Sequence, residues 1–397
     1  MSAAVVVGAG MTAFTTPKRA RPYTEAAAEA VRQALQDAGL DYDAVQQVYA
    51  GYVYGDSTSG QRAAYEVGLT GVPVINVNNN CATGSTALFL ARQAVEGGAA
   101  DCVLALGFEQ MPPGAISEAF ADRPSPLQPF LEVADRRHGP SGAPLALRLF
   151  GGAGRDYAET YGVGPEMFAQ IAVKARAHAA QNPAAVFRDA VTTEEVMASP
   201  MMFEPVLTRL QCCPPTCGAA AAIVVSEAFA RRRGLNAGVR IRAQAMTTDC
   251  VSSFDGDMTA AVGADLTRRA AEAVFGSSGV EPADVPVVEL HDCFTVNEVL
   301  SYEALGLAPP GGAARMIADG DNTYGGRHVV NPSGGLLSKG HPLGATGLAQ
   351  CFELVRQLRG QVGARQVDGA QLALQHNLGL GGACVVTLYE SAASRRT

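Results

Sequence analysis

The chain has 397 residues, of which 48% are hydrophobic and 17% charged, enough to bury one large core or two smaller ones. Its formal net charge is −8 at pH 7 and no run of Lys or Arg stands out, which argues against nucleic acid or an anionic membrane surface as a partner. No apolar stretch approaches the roughly 20 residues that span a bilayer, and the first residues lack a charged-then-apolar leader, so a cytoplasmic protein is expected.

Periodicity predicts a strand at Ala3–Val7 and a helix at Glu25–Ala38, with Val31, Ala34, Leu35 and Ala38 on one face and Gly39 as its stop. A strand at Gln47–Val53, a helix near Gln61–Val67 and a buried strand at Val72–Val77 follow. The next helix begins at "CATGSTALFL" and runs to Val95, striped by Ala87, Leu88, Ala91, Ala94 and Val95. Asp101–Gly107 and Ala219–Ser226 are the last strands of this half. The second half repeats the order: strand Val239–Ala245, helix Asp265–Val274, strand Val285–Leu290, helix Asn297–Leu305, helix Ala345–Leu358, and strands Gln371–Gln375 and Ala383–Tyr389. At an offset of 263 residues, Ala82, Thr83, Gly84, Phe89 and Gly97 meet Ala345, Thr346, Gly347, Phe352 and Gly360. Shared element order and these matches suggest a duplication, with mostly parallel sheets covered by helices on both faces.

Between Met111 and Pro205 the pattern lapses into Pro, Gly, Arg and short helical pieces, read as an inserted lobe that reaches over a site. This divides the chain into an N-terminal half (1–112 and 205–236), a lobe (113–204) and a C-terminal half (237–397). His138 and His178, inside the lobe, are expected at the surface. "GAGMTA" places Gly8, Gly10 and Ala13 in a G-x-G-x-x-A pattern, but Thr12 to Pro22 has no helical period to receive a pyrophosphate, so NAD binding is not expected.

Nine cysteines are scattered along the chain, which suggests reduced thiols rather than a disulfide frame. Cys212, Cys213 and Cys217 lack the spacing of a zinc site, and Cys102, Cys351 and Cys384 read as packing residues. Cys81 differs because it stands at the first turn of a helix, where unpaired N–H groups and the helix dipole favour a thiolate. "ELHDCFTVNEVL" places His291 and Cys293 at another strand-to-helix joint, with Thr295 and Glu298 spaced as a capping box. "NPSGGLLSKGHPLGATG" sets His341 in a glycine-rich loop before a helix, and "ALQHNLGLGGACVV" sets His376 ahead of Gly379, Gly381 and Gly382. Loops at the carboxyl ends of parallel strands converge on one crevice. A cysteine, imidazoles and glycine-rich backbone are what acyl transfer requires: a nucleophile, a base and N–H donors for an oxyanion. Each histidine taken singly is as readily structural.

"NNNCATGSTAL", "HDCF", "NPSGGLLSKGHPLGATGLAQC" and "QHNLGLGG" resemble the signature blocks of the thiolase superfamily, specifically its sterol-carrier-protein-associated branch, over nearly the whole chain. The resemblance implies an α/β thiolase fold: two duplicated βαβαβαββ halves in a five-layered α-β-α-β-α arrangement with an inserted loop lobe. It implies cleavage of 3-ketoacyl-CoA by coenzyme A, with coenzyme A a substrate and no metal or other cofactor. Cys81 is then the acylated nucleophile, and His341 activates it. His291 and His341 hold the enolate oxygen, and Cys293 is the second acid/base. His376 and the Gly379 region support the oxyanion hole. A homodimer or homotetramer is implied by the same likeness. Cys217 stands where the family commonly has Asp, a change expected to affect packing rather than chemistry. The residues after Tyr389 leave no room for the small lipid-carrier domain of eukaryotic relatives, and Ser394–Thr397 do not spell a peroxisomal address. Three alternatives stay open: a condensing ketoacyl-synthase-type enzyme, an aldolase-like relative of the same branch, and a non-enzymatic lipid-binding or scaffold subunit.

Overall fold

The computed structural model describes residues 3–114, 120, 122–235 and 238–392; Ser394–Thr397 lie outside them. Strand β1 (Ala4–Met11) leads to α1 (Tyr23–Ala38), β2 (Gln47–Gly51), α2 (Ser59–Tyr65), β3 (Val74–Val77), α3 (Thr83–Glu96) and β4 (Cys102–Glu109). Next come α4 (Gln128–His138), α5 (Leu145–Tyr161), α6 (Pro165–Ala179), α7 (Thr193–Ala198), the short hairpin β5 (Met201–Phe203) and β6 (Leu207–Thr208), then β7 (Gly218–Ser226) and α8 (Glu227–Arg233). The second half runs β8 (Val239–Thr247), α9 (Met258–Ala261), α10 (Ala264–Ser278), β9 (Val287–Glu289), α11 (Thr295–Ala304), α12 (Ala313–Ala318), β10 (Val329–Val330), α13 (Thr346–Leu358), β11 (Leu372–Gly379) and β12 (Ala383–Ser391).

The strand order makes the duplication explicit. It reads β3-β2-β4-β7-β1 in the first half and continues β8-β12-β11-β9-β10 in the second. The halves meet where Val5 and Val6 of β1 pair antiparallel with Arg240 and Val239 of β8. Within each half β7 or β12 runs against its neighbours while the other strands share one direction. Helices α3 and α13 pack between the two half-sheets, sharing one core with β1, β4, β7, β8 and β11. Helix α1 covers the outer face of the first half, and α10 and α11 cover the second together with the lobe helices α5 and α6. That gives the α-β-α-β-α layering. Alanines and β-branched residues in β7, all buried, suit a strand covered on both faces.

Close backbone approach explains several glycines. A Cβ at Gly84 would lie 2.8 Å from the carbonyl oxygen of Gly344, and one at Gly347 would lie 2.2 Å from the amide nitrogen of Ser85. Gly84 and Gly347, one matched pair of the duplication, are therefore where α3 and α13 touch. In β1, a Cβ at Gly8 or Gly10 would sit 2.1 Å or 2.2 Å from the carbonyl oxygens of Ala34 or Ala30 in α1. The G-x-G pattern there serves strand–helix packing, which accounts for the false dinucleotide signal.

Five expectations change. Val72–Val77 is not a buried strand: only Val74–Val77 is extended, it is the last strand of its half-sheet, and Ile75 and Asn76 are exposed. The short helix begins at Ser59 and ends at Tyr65 rather than spanning 61–67. Thr295 and Glu298 form no capping box, because α11 starts at Thr295 itself. Thr295 Oγ1 instead accepts from Gln211 Nε2 at 3.2 Å, and Glu298 pairs with the buried Lys174. His178 is buried rather than superficial, with Nδ1 donating to the Asn331 carbonyl at 3.0 Å and Nε2 2.8 Å from Thr323 Oγ1. His138 is half-buried, 3.2 Å from Asp156.

Candidate active site

Four loops at the carboxyl ends of strands supply the site: after β3 (Cys81), after β9 (His291 and Cys293), after β10 (His341) and at the end of β11 (Gly379). The turn before α3 places Asn80 at φ 50°, a left-handed conformation that Asn tolerates better than most residues. Its side chain donates to the Leu380 carbonyl at 3.2 Å. Thr83 Oγ1 accepts from the Asn79 amide at 2.9 Å, closing the turn. Gly379 lies against this turn so tightly that a Cβ there would be 2.2 Å from the Asn79 carbonyl oxygen and 3.0 Å from the Ala82 nitrogen. Both the Cys81 loop and the backbone opposite it are thus held by contacts between residues some 300 positions apart.

The sulfur of Cys81 and a ring nitrogen from each of His291 and His341 lie within 4.8 Å of one another. The two imidazoles meet edge-to-face, with centroids 5.1 Å apart at 84°. Thr346 Oγ1 donates to the Pro342 carbonyl at 3.0 Å, so toward His341 Nδ1, 2.7 Å away, it can only accept. His341 therefore carries its proton on Nδ1, and its Nε2, buried and without a partner among the described residues, offers a lone pair to the cavity. His291 differs: its Nδ1 faces Asn377 Nδ2 at 3.1 Å, leaving Nε2 as the N–H that points to the cavity. One imidazole is poised as a base and the other as a donor.

Burial governs the protonation states. It pushes the Cys81 thiol up to about 12, with Glu109 adding to the effect and the residue's own amide N–H opposing it. Burial thus works against the thiolate that the helix start favours. Burial, then Lys339, depresses His341 to about 3, and burial, His341 and His376 depress His291 well below its ordinary range. The resting site is a neutral thiol beside two neutral imidazoles. A thiol in this setting would ionise only as negative charge moves onto a bound substrate.

Cys293 is 5% exposed and lines the same cavity as Cys81. Burial raises its thiol well above the usual range, and Cys213 and Cys81 add to this. Between His291 and Cys293, Asp292 faces the other way and accepts from the amides of Leu336 (2.7 Å) and Leu337 (3.4 Å), tying this loop to the one that carries His341. His376 stands behind the cavity: its Nδ1 accepts from the His291 amide at 3.4 Å and its Nε2 lies 2.9 Å from Thr267 Oγ1. Cys217 is buried, with Sγ 3.6 Å from the Met111 carbonyl, and packs beside Cys81 and Leu343.

Sequence reasoning missed Thr346, Asn377, Glu109 and Cys213. Thr346 stood among the five duplicated positions and Asn377 adjoined His376, but neither carried a chemical signal of its own. The Glu109 carboxylate accepts from the amides of Val53, Tyr54 and Gly344 at 3.0, 2.9 and 3.0 Å, joining the two halves beside Cys81. Cys213 donates its amide to the Cys293 carbonyl at 2.9 Å. The cavity, about 570 Å³, is walled mainly by apolar groups, among them Leu147 and Phe150 of the lobe, Phe294, Leu337, Leu378 and Leu380. Arg176 and Arg209 supply its cationic lining. Among the described residues no helix is long and apolar enough to cross a membrane.

A buried thiol between a basic and a donating imidazole, on duplicated α/β halves, is the equipment of cysteine-based acyl transfer. The chain belongs to the thiolase family: the thiolase N-terminal domain matches residues 4–228 and the thiolase C-terminal domain-like family residues 249–389. It is 56% identical over 388 residues to sterol carrier protein 2 of Gallus gallus, covering 97% of this chain and 71% of that protein. It is 35% identical to an acetyl-CoA acetyltransferase of Methanothermobacter thermautotrophicus, covering 91% of this chain and 92% of the relative. Among solved structures, the Ltp2-ChsH2(DUF35) aldolase superposes with a TM-score of 0.81 at 26% identity, covering 98% of each chain.

Proposed function

We propose that this acyltransferase cleaves 3-ketoacyl-CoA with coenzyme A, giving a shortened acyl-CoA and acetyl-CoA or propanoyl-CoA. The observation that carries the reading is the unpartnered Nε2 of His341 beside Cys81 Sγ, with a second thiol, Cys293, on the same cavity. Cys81 Sγ attacks the C3 ketone as its proton passes to His341 Nε2. The Cys81 amide, with one from the Gly379 region, receives the oxyanion. The bond between C2 and C3 then breaks, and the electron pair becomes an enolate on the departing thioester. His341, now an Nε2–H donor, joins His291 Nε2–H in holding the enolate oxygen. Transfer of the nucleophile's proton thus completes the hole that the leaving group needs. Cys293 protonates C2 and later takes the proton of the incoming coenzyme A thiol, which attacks the acyl group on Cys81. His376 supports His291 from behind.

The apolar cavity suits a bulky or branched acyl tail of a β-oxidation or sterol-derived substrate, while Arg176 and Arg209 suit coenzyme A phosphates at its edge. The division into two halves and a lobe serves this reading, with the lobe closing over the tail. A homodimer or homotetramer is supported by the exposed strand β3, whose free edge invites pairing with another copy.

Cys81→Ala is expected to abolish acyl transfer. Cys293→Ala should still accept an acyl group from a simple thioester, seen as a mass increment on Cys81, while losing ketoacyl cleavage; cleavage at an unchanged rate removes Cys293 from the mechanism. A second reading, retro-aldol cleavage, is raised by the aldolase neighbour and needs no acylated cysteine. Incubation with acetyl-CoA followed by intact-mass measurement separates the two, since an aldolase or a scaffold gains no adduct.

A further inference from the structure

The same three ligand atoms present a chemistry that acyl transfer does not use. We propose that Cys81, His291 and His341 form a site for a Zn²⁺ ion that occupies the nucleophile and reversibly silences the enzyme. The metal site follows from the geometry, and only its inhibitory consequence rests on the function proposed above.

Among the described residues, this is the one cluster of three His, Cys or carboxylate groups whose ligand atoms all lie within 4.8 Å of one another. Tetrahedral zinc with one sulfur and two nitrogen ligands needs those atoms about 3.3–3.6 Å apart, a closure that small side-chain rotations supply. The donor set, one thiolate and two neutral imidazoles, is a zinc set rather than a magnesium or calcium one. A zinc-binding histidine normally donates its far ring N–H to a fixed acceptor, which sets the lone pair toward the metal. His341 already has this arrangement through Thr346, and its Nε2 is buried with no partner among the described residues.

His291 reaches the same state by one local change. Asn377 Oδ1 is buried and also lacks a partner among the described residues. Turning the amide over brings that oxygen to accept from His291 Nδ1–H, and the proton's move from Nε2 to Nδ1 frees Nε2 for the metal. Binding releases one proton, from the Cys81 thiol to solvent, and shifts one proton between the ring nitrogens of His291, where the Nε2–H bond breaks as the Nδ1–H bond forms; no oxidation state changes. The fourth coordination position faces the open cavity, leaving room for water or a thiol ligand.

The test uses the whole protein, stripped with EDTA and held in thiol-free buffer. Titration with Co²⁺ is expected to saturate at one equivalent per chain with a thiolate-to-cobalt charge-transfer band, and Zn²⁺ should displace it. Bound Zn²⁺ should protect Cys81 from iodoacetamide, as read by peptide mass spectrometry, and EDTA should restore reactivity. Cys81→Ala and His341→Ala should lose the band, and Thr346→Val should weaken binding about 10- to 100-fold. Cys250→Ser, which removes an exposed thiol 3.5 Å from Asp265, should leave the band intact. A band that survives in Cys81→Ala, or alkylation of Cys81 unaffected by Zn²⁺, overturns the proposal. Protection in the unmodified protein decides the matter even where a variant fails to fold. Neither readout requires turnover, so a protein that binds zinc here but never acylates Cys81 would overturn the catalytic reading alone.

Discussion

Replacing Thr346 by Val removes the acceptor that fixes the His341 tautomer while keeping the shape of the side chain. The hydroxyl accepts from His341 Nδ1–H at 2.7 Å in a fully buried setting. A buried donor left unpaired costs about 1–3 kcal/mol. The ring avoids that cost by moving its proton to Nε2, which removes the base facing Cys81. Either way the reactive tautomer becomes less favourable by that amount, corresponding to an acylation rate about 5- to 150-fold lower. The assay is single-turnover transfer from acetyl-CoA to Cys81, quenched in acid and read by intact mass. Thr346→Ser should recover most of the rate, and KM should change little because the hydroxyl does not line the cavity. Wild-type acylation by the Val variant, or no difference between Ser and Val, would refute the tautomer argument.

Two further substitutions test packing and charge. Gly347→Ala should destabilise by about 3 kcal/mol or more in urea unfolding, since the added methyl would meet the backbone of Ser85. Gly276→Ala, also in a helix but with no atom within 4 Å, should instead stabilise by about 0.5–1 kcal/mol, so equal effects would defeat the close-approach explanation. Burial raises the Glu109 carboxyl to about 7 despite its three amide donors. A raised folded-state value means the native protein binds the proton more tightly, so the stabilising effect is complete below the unfolded value near 4.5 and fades as pH rises through about 7. Relative to Glu109→Gln, the natural protein should therefore lose about 3 kcal/mol of stability between those limits; a pH-independent difference would show that the carboxyl is not desolvated.

Side-chain periodicity is a local property, so the alternating strands and helices, the duplicated order and the four loops that carry chemistry could be read directly from the chain. Cys81, His291, Cys293 and His341 stood out because each lies at a strand-to-helix joint, and the structure brings Cys81, His291 and His341 together and sets Cys293 on the same cavity. The errors arose where the answer depends on what surrounds a segment. An apolar run such as Val72–Val77 looks the same whether a neighbouring strand covers it or it ends the sheet. His178 sits in a stretch that resembled a surface lobe, yet its partners, Asn331 and Thr323, come from the other half.

The amino-acid order by itself determined which groups could react: two thiols, two imidazoles and the glycines that let backbone approach them. Tertiary structure alone decided their states. A helix start argues for a thiolate, but how much water leaves Cys81 depends on the walls that close around it, and here burial works against it. The contacts that set those states span the chain, from Glu109 to Gly344 and from Asn80 to Leu380. Proton placement is fixed by distances of a few ångströms, some to near neighbours such as Thr346 beside His341 and some to distant residues such as Asn377 beside His291, and no periodic pattern encodes them.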